Sequence, residues 1–508
     1  MKTQILLSLA MAAGLALPGV HAQNRNHSAV GQSKVGATIR AHLAARSRRA
    51  PGSVERLDPA AGRSSAKQTV DPQTLAARQA ALASYPRYRL VDLGALGGPN
   101  ATAVLPAVIL NNRGENIAQA STAILDPYPF TFADDLIWHG IYRGPNGVLS
   151  DLGALTSVAQ SLPVWISGNG FIVGTSENGL LDDTADFPQL RPVLWDRAHN
   201  LVDLGTFGGN TGWATTVNNK GQVGGYATNT IPEDLDVASF MNGFLPAGQQ
   251  VRAFISNGGP LRDLGTLGGN DAAVQASNER GVVAGLSYTS TEINDTTGLP
   301  TVHPFIWANG TMQDVGSLGG TLSTPASFAY GPFGKSLNNR GELAGTSTLP
   351  GDETWHAFVW TKNQLIEIGT FGGDNSEATF MSDKGEVLGR AEVSHDPVVR
   401  HAFLWEKGRM TDLGVPAPCT RGTALAINSR GQIVGGTGAC TDDPDDPLYF
   451  STFYMEKGKA PVDLNGLITP ASDIHLEDAS DINDLGQISA GGSGPDGSTH
   501  AVLLVPIN

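Results

Sequence analysis

Carboxylates form the densest chemical clusters in this chain. Asp182, Asp183 and Asp186 make one group, Glu233, Asp234 and Asp236 a second, and Asp442, Asp443, Asp445 and Asp446 a third. Aromatic residues are interleaved with them or stand nearby, among them Tyr128, Phe130, Phe240, Tyr288, Trp355 and Tyr449. Carboxylates converging on one surface set up a negative potential that draws cations and basic segments. Hard oxygen ligands suit Ca²⁺, and the run Asp442, Asp443, Asp445 and Asp446 is the candidate metal site. Rings for stacking beside carboxylates for hydroxyl groups are also the chemistry of sugar recognition. On that reading the candidate ligand-binding residues are Tyr128, Phe130, Asp182, Asp183, Asp186, Trp355 and Tyr449. Acidic loops also serve solubility alone. Two carboxylates about 5–10 Å apart could instead hydrolyse a glycosidic bond, but that separation is a property of the fold, so no catalytic residue is nominated.

Other chemistries are weaker. His303, His356, His401 and His500 look like a metal ring, yet each opens a comparable apolar segment. That recurrence points to a structural role, bonding a nearby Asp or backbone group. The chain holds no phosphate-binding Gly-x-x-x-x-Gly-Lys loop, no Gly-x-Ser-x-Gly nucleophile elbow and no His-Glu-x-x-His zinc motif. A net charge of −15 argues against a nucleic-acid surface. Charged residues at 16%, against about 25% on average, argue against a long-helix protein.

These groups must be carried by a repeat. A short strand ending in Gly recurs at Asp92-Leu93-Gly94, Asp151-Leu152-Gly153, Asp203-Leu204-Gly205, Asp263-Leu264-Gly265, Asp314-Val315-Gly316, Glu367-Ile368-Gly369 and Asp412-Leu413-Gly414, and in degenerate form at Asp463-Leu464-Asn465. The first positions lie 45 to 60 residues apart, the period of a propeller blade. A hairpin follows each, with turns such as Asn218-Asn219-Lys220-Gly221 and Asn338-Asn339-Arg340-Gly341. Asn first and Gly fourth suit a type I turn. Variants stand at Asn111, Ser167, Ser382 and Asn483. An aromatic strand completes the unit, as at His303 to Trp307, His356 to Trp360 and His401 to Trp405.

His356-Ala357-Phe358 and His401-Ala402-Phe403, each followed closely by the Asp/Glu-Leu/Ile-Gly element, resemble the bacterial extracellular HAF repeat. The resemblance covers roughly residues 86–508 and implies export. It implies no reaction and carries no catalytic residue onto this chain.

The aromatic strands are apolar on both faces and must be covered on both. Radially stacked four-stranded sheets supply that cover. The expected fold is therefore all-β: a β-propeller of about eight four-stranded blades, or seven if the weak unit at 151–195 does not form one. Pairing the C-terminal strand with the strand near residues 88–94 would close the ring and remove two open edges. Cys419 and Cys440 lie equidistant from the midpoint of the Asn428-to-Gly431 turn, so an antiparallel hairpin sets them opposite one another as a disulfide. The long insertions fall between the second hairpin strand and the aromatic strand, at the end that also carries the Gly-Gly segments. They contain 21 acids against Arg191, Arg390 and Arg400 as the only Lys or Arg. Insertions confined to one end mark the functional face of a repeat protein.

Before the repeats, Lys2, the apolar stretch Ile5 to Leu17 and Val20-His21-Ala22 have the layout of a secretory signal peptide over residues 1–22. Residues 23–85 read as a flexible basic arm, with ten Lys or Arg against three acids up to residue 80. That net of +7, with Lys2, leaves −23 on residues 81–508. After the first twenty residues no apolar run reaches membrane-spanning length. The expectation is a monomeric extracellular or periplasmic module, the propeller occupying 86–508, whose loop face binds a glycan, a peptide, another cell-envelope component or a cation, with Ca²⁺ as the one cofactor considered. A non-enzymatic role is favoured. The alternative is a secreted propeller enzyme acting on polysaccharide through a carboxylate pair in an axial pocket.

Overall fold

The computed structural model describes residues 82–103, 107–127, 134–182, 187–243, 246–326, 334–395, 398–417, 419–438 and 451–507. Residues 1–22 and nearly all of 23–85, the expected signal peptide and arm, lie outside them.

Each repeat becomes an antiparallel set of four strands. In one of them Ala272–Ser277, Val283–Ile293, Pro300–Ala308 and Thr311–Asp314 are hydrogen-bonded in that order. Among the described residues there are six such four-stranded sheets and one of eight strands. The larger sheet is two four-strand sets joined by one parallel pair, Arg400 with Arg421. The weak unit does form a sheet, from Ser161–Ile166, Ile172–Asp182, Phe187–Trp195 and Leu201–Asp203. The strand Arg87–Asp92 pairs with Thr499–Ile507, Leu90 facing Leu504, as the sequence suggests. Each sheet packs on the next one along the chain, and Gly97–Thr102 packs on Thr499–Ile507.

Packing within several sheets turns on a glycine opposite a ring. Gly345, in the second strand of its sheet, pairs with Phe358 of the aromatic strand, and Gly285 and Gly389 pair with Phe305 and Phe403 in the same way. A Cβ at Gly345 would press into the Phe358 ring and the Thr324 carbonyl. Missing side chains thus make room for rings, and Phe305, Phe358 and Phe403 are all 0% exposed. Burying each ring contributes on the order of 1.5–3 kcal/mol.

The Asn turns link the sheets. Asn218 Oδ1 accepts the N–H groups of Lys220 and Gln222 within its own turn, while its Nδ2 donates to the Asn278 carbonyl of the next. The same outward bond runs from Asn278 to Asn338, Asn338 to Ser382, Asn428 to Asn483, and Asn111 to Ser167. One amide therefore closes a turn and ties two sheets together.

The histidines pair with the repeated acids across neighbouring strands. His303 Nδ1 lies 3.0 Å from the Asp314 carboxylate, His401 2.9 Å from Asp412 and His500 2.9 Å from Asp92. His356 meets Glu367 likewise. Arg191 and Arg252 replace the histidine against Asp203 and Asp263. Asp314 Oδ1 also accepts the N–H of Gly316, which turns the chain at φ +85°. These residues are structural clasps.

Candidate functional site

Among the described residues, several insertions continue as extended hairpins. Pairing continues to Asp182 with Phe187 and to Ile293 with Pro300, each past a register shift. Continued pairing satisfies backbone groups that a loose loop would have to expose. The Gly-Gly segments lie against the same ends, with Leu96 N donating to Ser121 O, Gly269 N to Tyr288 O and Gly320 N to Thr348 O. The predicted shared end is therefore present.

One insertion carries the helix Leu235–Met241. Asp234 caps it, its Oδ1 accepting from Asp236 N at 3.0 Å and Val237 N at 3.4 Å. Val237, Ala238, Phe240 and Met241 bury the helix against the sheets. Tyr288 of the adjoining hairpin receives it, donating its hydroxyl to Val237 O at 2.9 Å, with the Phe240 ring 6.4 Å away. Between the helix and that hairpin lies a cavity of about 520 Å³. Glu233, Asp234 and Asp236 stand on one side, and Ser290, Thr291, Ile293 and Pro300 on the other. Asn270 and Asp271, which follow directly on Gly268-Gly269, complete its lining.

Most of the acceptors are already engaged. Glu233 Oε1 accepts the Asp234 N–H at 3.0 Å, and its Oε2 accepts Asn270 Nδ2 at 2.6 Å. Asp271 Oδ1 accepts the Val251 N–H at 2.6 Å. Asp271 Oδ2 has no partner, although the residue is 0% exposed. Burial, helped by the charge of Glu233, pushes the Asp271 carboxyl up to about 7, against the Val251 N–H and the more distant Arg252. Arg252 is spent elsewhere, on Asp263 at 3.0 Å and on the Asn270 carbonyl at 2.8 Å. A buried acceptor without a donor costs about 1–3 kcal/mol, which makes Asp271 the chemically open group of this site.

Elsewhere on this face two buried acids are neutralised by arginines of the chain, while Asp352 takes the Thr321 and Thr348 hydroxyls instead. Arg390 sits 2.8 Å from Glu377, and Arg400 3.1 Å from Glu392. Glu177 is another exception: it accepts the Gln160 N–H, and burial, with the charge of Asp126, pushes it up to about 7.

The residues nominated from sequence fare unevenly. Asp182 is buried at the end of its hairpin. Trp355 is also buried, its Nε1 donating to Glu377 Oε1 at 3.0 Å, so the ring is packed against the protein rather than offered as a platform. Tyr128, Phe130, Asp183, Asp186 and Tyr449 lie outside the described residues, as do Asp442, Asp443, Asp445, Asp446 and Cys440. Among the described residues no group of three or more His, Cys, Asp or Glu could hold a metal ion. Sequence reasoning drew Glu233, Asp234 and Asp236 together as a cluster but missed Asp271. Its available signal was the position directly behind Gly268-Gly269, at the end of the sheet where the insertions fall.

No protein-family model matches the chain, and no curated protein matches it. Solved structures are similar at low level. A puromycin-hydrolysing peptidase of Mycobacterium tuberculosis has TM-score 0.40 and 12% identity over 81% of this chain, which spans 61% of the peptidase. YCF48 bound to D1 peptide has TM-score 0.36 and 9% identity over 84% of this chain and 96% of that one. An ulvan lyase of polysaccharide lyase family PL25 has TM-score 0.34 and 10% identity, covering 83% and 96%. At these values the likenesses carry no argument about this chain.

Proposed function

We propose that the chain is an exported, HAF-repeat-like propeller of eight blades, closed by the strand Arg87–Asp92, and that its insertion-bearing end binds a ligand. The bond from Asn483 to Asn111 and the pairing of Leu90 with Leu504 support closure. The binding reading is carried by the acidic cavity, where Asp271 lacks a partner for Oδ2. The ligand classes that fit are a cation, a basic peptide or a glycan, and the Asp442-to-Asp446 run remains a proposed Ca²⁺ site, with Cys419 and Cys440 a proposed bridge. The test is an array of glycans and peptides, with and without calcium, repeated on the Glu233→Gln variant. Binding that weakens in the variant supports this end as the binding face; ligands held equally by both would move the site elsewhere.

A second reading has its own support. A carboxyl raised to about 7 beside the charged Glu233 is the pattern of an acid–carboxylate pair in glycoside hydrolysis. Reducing ends released from envelope polysaccharides, and lost in Asp271→Asn, would establish it; no release across a polysaccharide panel would remove it.

A further inference from the structure

We infer that the cavity beside Leu235–Met241 takes an organic cation, an ammonium or guanidinium group on a short apolar stem, whose charge pairs with Asp271. The inference rests on the binding reading above and names its ligand class.

The argument comes from a comparison within the molecule. Glu377 and Glu392 are nearly inaccessible carboxylates on the same face, and each is held by an arginine of the chain at 2.8 and 3.1 Å. Asp271 is at least as deeply buried, and among the described residues it forms no ion pair. Its one bonded oxygen takes a backbone N–H, and the second lacks any donor. Arg252, the nearest cation acting on it, is engaged by Asp263 and the Asn270 carbonyl. An incoming guanidinium or ammonium, reaching Oδ2 by displacing the side chains that cover it, would do at Asp271 what Arg390 and Arg400 do at their glutamates.

The surroundings fit that group better than the other candidates. Val237, Tyr288, Ile293 and Pro300 supply apolar wall for a stem, while Glu233, Asp234 and Asp236 add negative potential. The volume of about 520 Å³ falls in the range of small-molecule sites. A bare Ca²⁺ requires six to eight oxygens, and no cluster of three acids able to hold a metal is found among the described residues. A neutral ligand could donate to Oδ2 but would bring no charge to pair with Asp271.

Pairing also has a proton consequence. The charges facing Asp271 are Glu233, which favours its protonation, and Arg252, which opposes it. Asp234 and Glu233 also act on the adjoining Tyr288. A bound cation holds Asp271 ionised, so binding releases a proton near neutrality and weakens in acid.

The experiment is calorimetric titration of the intact protein with n-butylguanidinium, n-butylammonium, the peptide acetyl-Gly-Arg-Gly-amide and the neutral isostere n-butylurea. Either free cation should bind, n-butylurea should not, and Asp271→Asn should weaken binding about tenfold or more. Asparagine retains an oxygen for the Val251 N–H, and circular dichroism checks that the variant folds. Should it not fold, the wild-type protein suffices: affinity should fall about fivefold from pH 7 to pH 6, with proton release seen by comparing two buffers. Tighter binding of the peptide than of the free cations identifies a protein side chain as the source, and the reverse a free amine. Equal binding of n-butylurea and n-butylguanidinium overturns the inference while leaving the binding face intact. Failure of all four, with a glycan bound and sensitive to Glu233→Gln, overturns it in the same way. Failure of every ligand, glycans included, removes the binding reading as well.

Discussion

Asn483 Nδ2 donates to the carbonyl of Asn111 at 2.9 Å, joining the last Asn turn of the chain to the first across 372 positions. The same side chain accepts the N–H groups of Leu485 and Gln487 through Oδ1. Aspartate would keep the second function and lose the first. Asn483→Asp is therefore expected to destabilise the fold by about 1–3 kcal/mol, read as a lower Tm by calorimetry. An unchanged Tm would show that this contact contributes nothing.

Glycine opposite phenylalanine is the second relationship to test. Gly345→Ala drives a methyl group into Phe358 and the Thr324 carbonyl and should cost about 1–3 kcal/mol. Gly436→Ala is the control, because a Cβ there meets nothing within 4 Å. Its effect should stay within about 0.5 kcal/mol. Equal losses at both sites would mean that backbone flexibility, not ring packing, decides.

Four desolvated acids give the fold a pH dependence of unusual sign. Desolvation pushes Glu177, Asp271 and Asp478 up to about 7 and Asp481 to about 6. A carboxyl raised on folding holds its proton in the native state where the unfolded chain has released it. Its stabilisation is complete below the unfolded value near 4 and is lost as pH rises through the folded value. Tm should accordingly be higher at pH 5 than at pH 8, and Asp478→Asn should flatten that slope. A rise in Tm from pH 5 to pH 8 would contradict this account.

The His303–Asp314 clasp works in the opposite direction. Burial disfavours the Asp314 charge, but the hydrogen bond and field of His303 and the Gly316 N–H outweigh it and hold the carboxyl below its ordinary value. This stabilisation is present above the unfolded pKa and disappears as pH falls through the folded one. Both partners are partly exposed, so a double-mutant cycle should return only about 0.2–1 kcal/mol at pH 7, and less at pH 3. A coupling that persisted at pH 3 would rule the ion pair out.

The proposed bridge between Cys419 and Cys440 is checked by mass spectrometry after alkylation without reduction. Both cysteines should remain unmodified, and two alkylated thiols would exclude it.

Much of the architecture was legible because its devices are local and repeated. Asn–x–x–Gly turns, aromatic strands and Asp-Leu-Gly ends each follow from short-range rules, and eight copies make the period unmistakable. The pairing of Arg87–Asp92 with Thr499–Ile507 was legible as two unmatched edges. The acids of the helix-bearing insertion were legible as a cluster. Trp355 was misjudged as a platform because exposure depends on neighbours such as Glu377, which lies 22 residues away.

By itself the sequence determined the strand pattern, the turn chemistry and the end of the sheets that carries the acids, since periodicity and residue type act over a few positions. Tertiary structure alone decided which carboxylates find a partner. Arg390 and Arg400 reach Glu377 and Glu392, whereas Asp271 lines a cavity shared with a helix from another repeat, one oxygen unanswered. Desolvation and pairing are set by what packs around a group, and distance along the chain does not encode that.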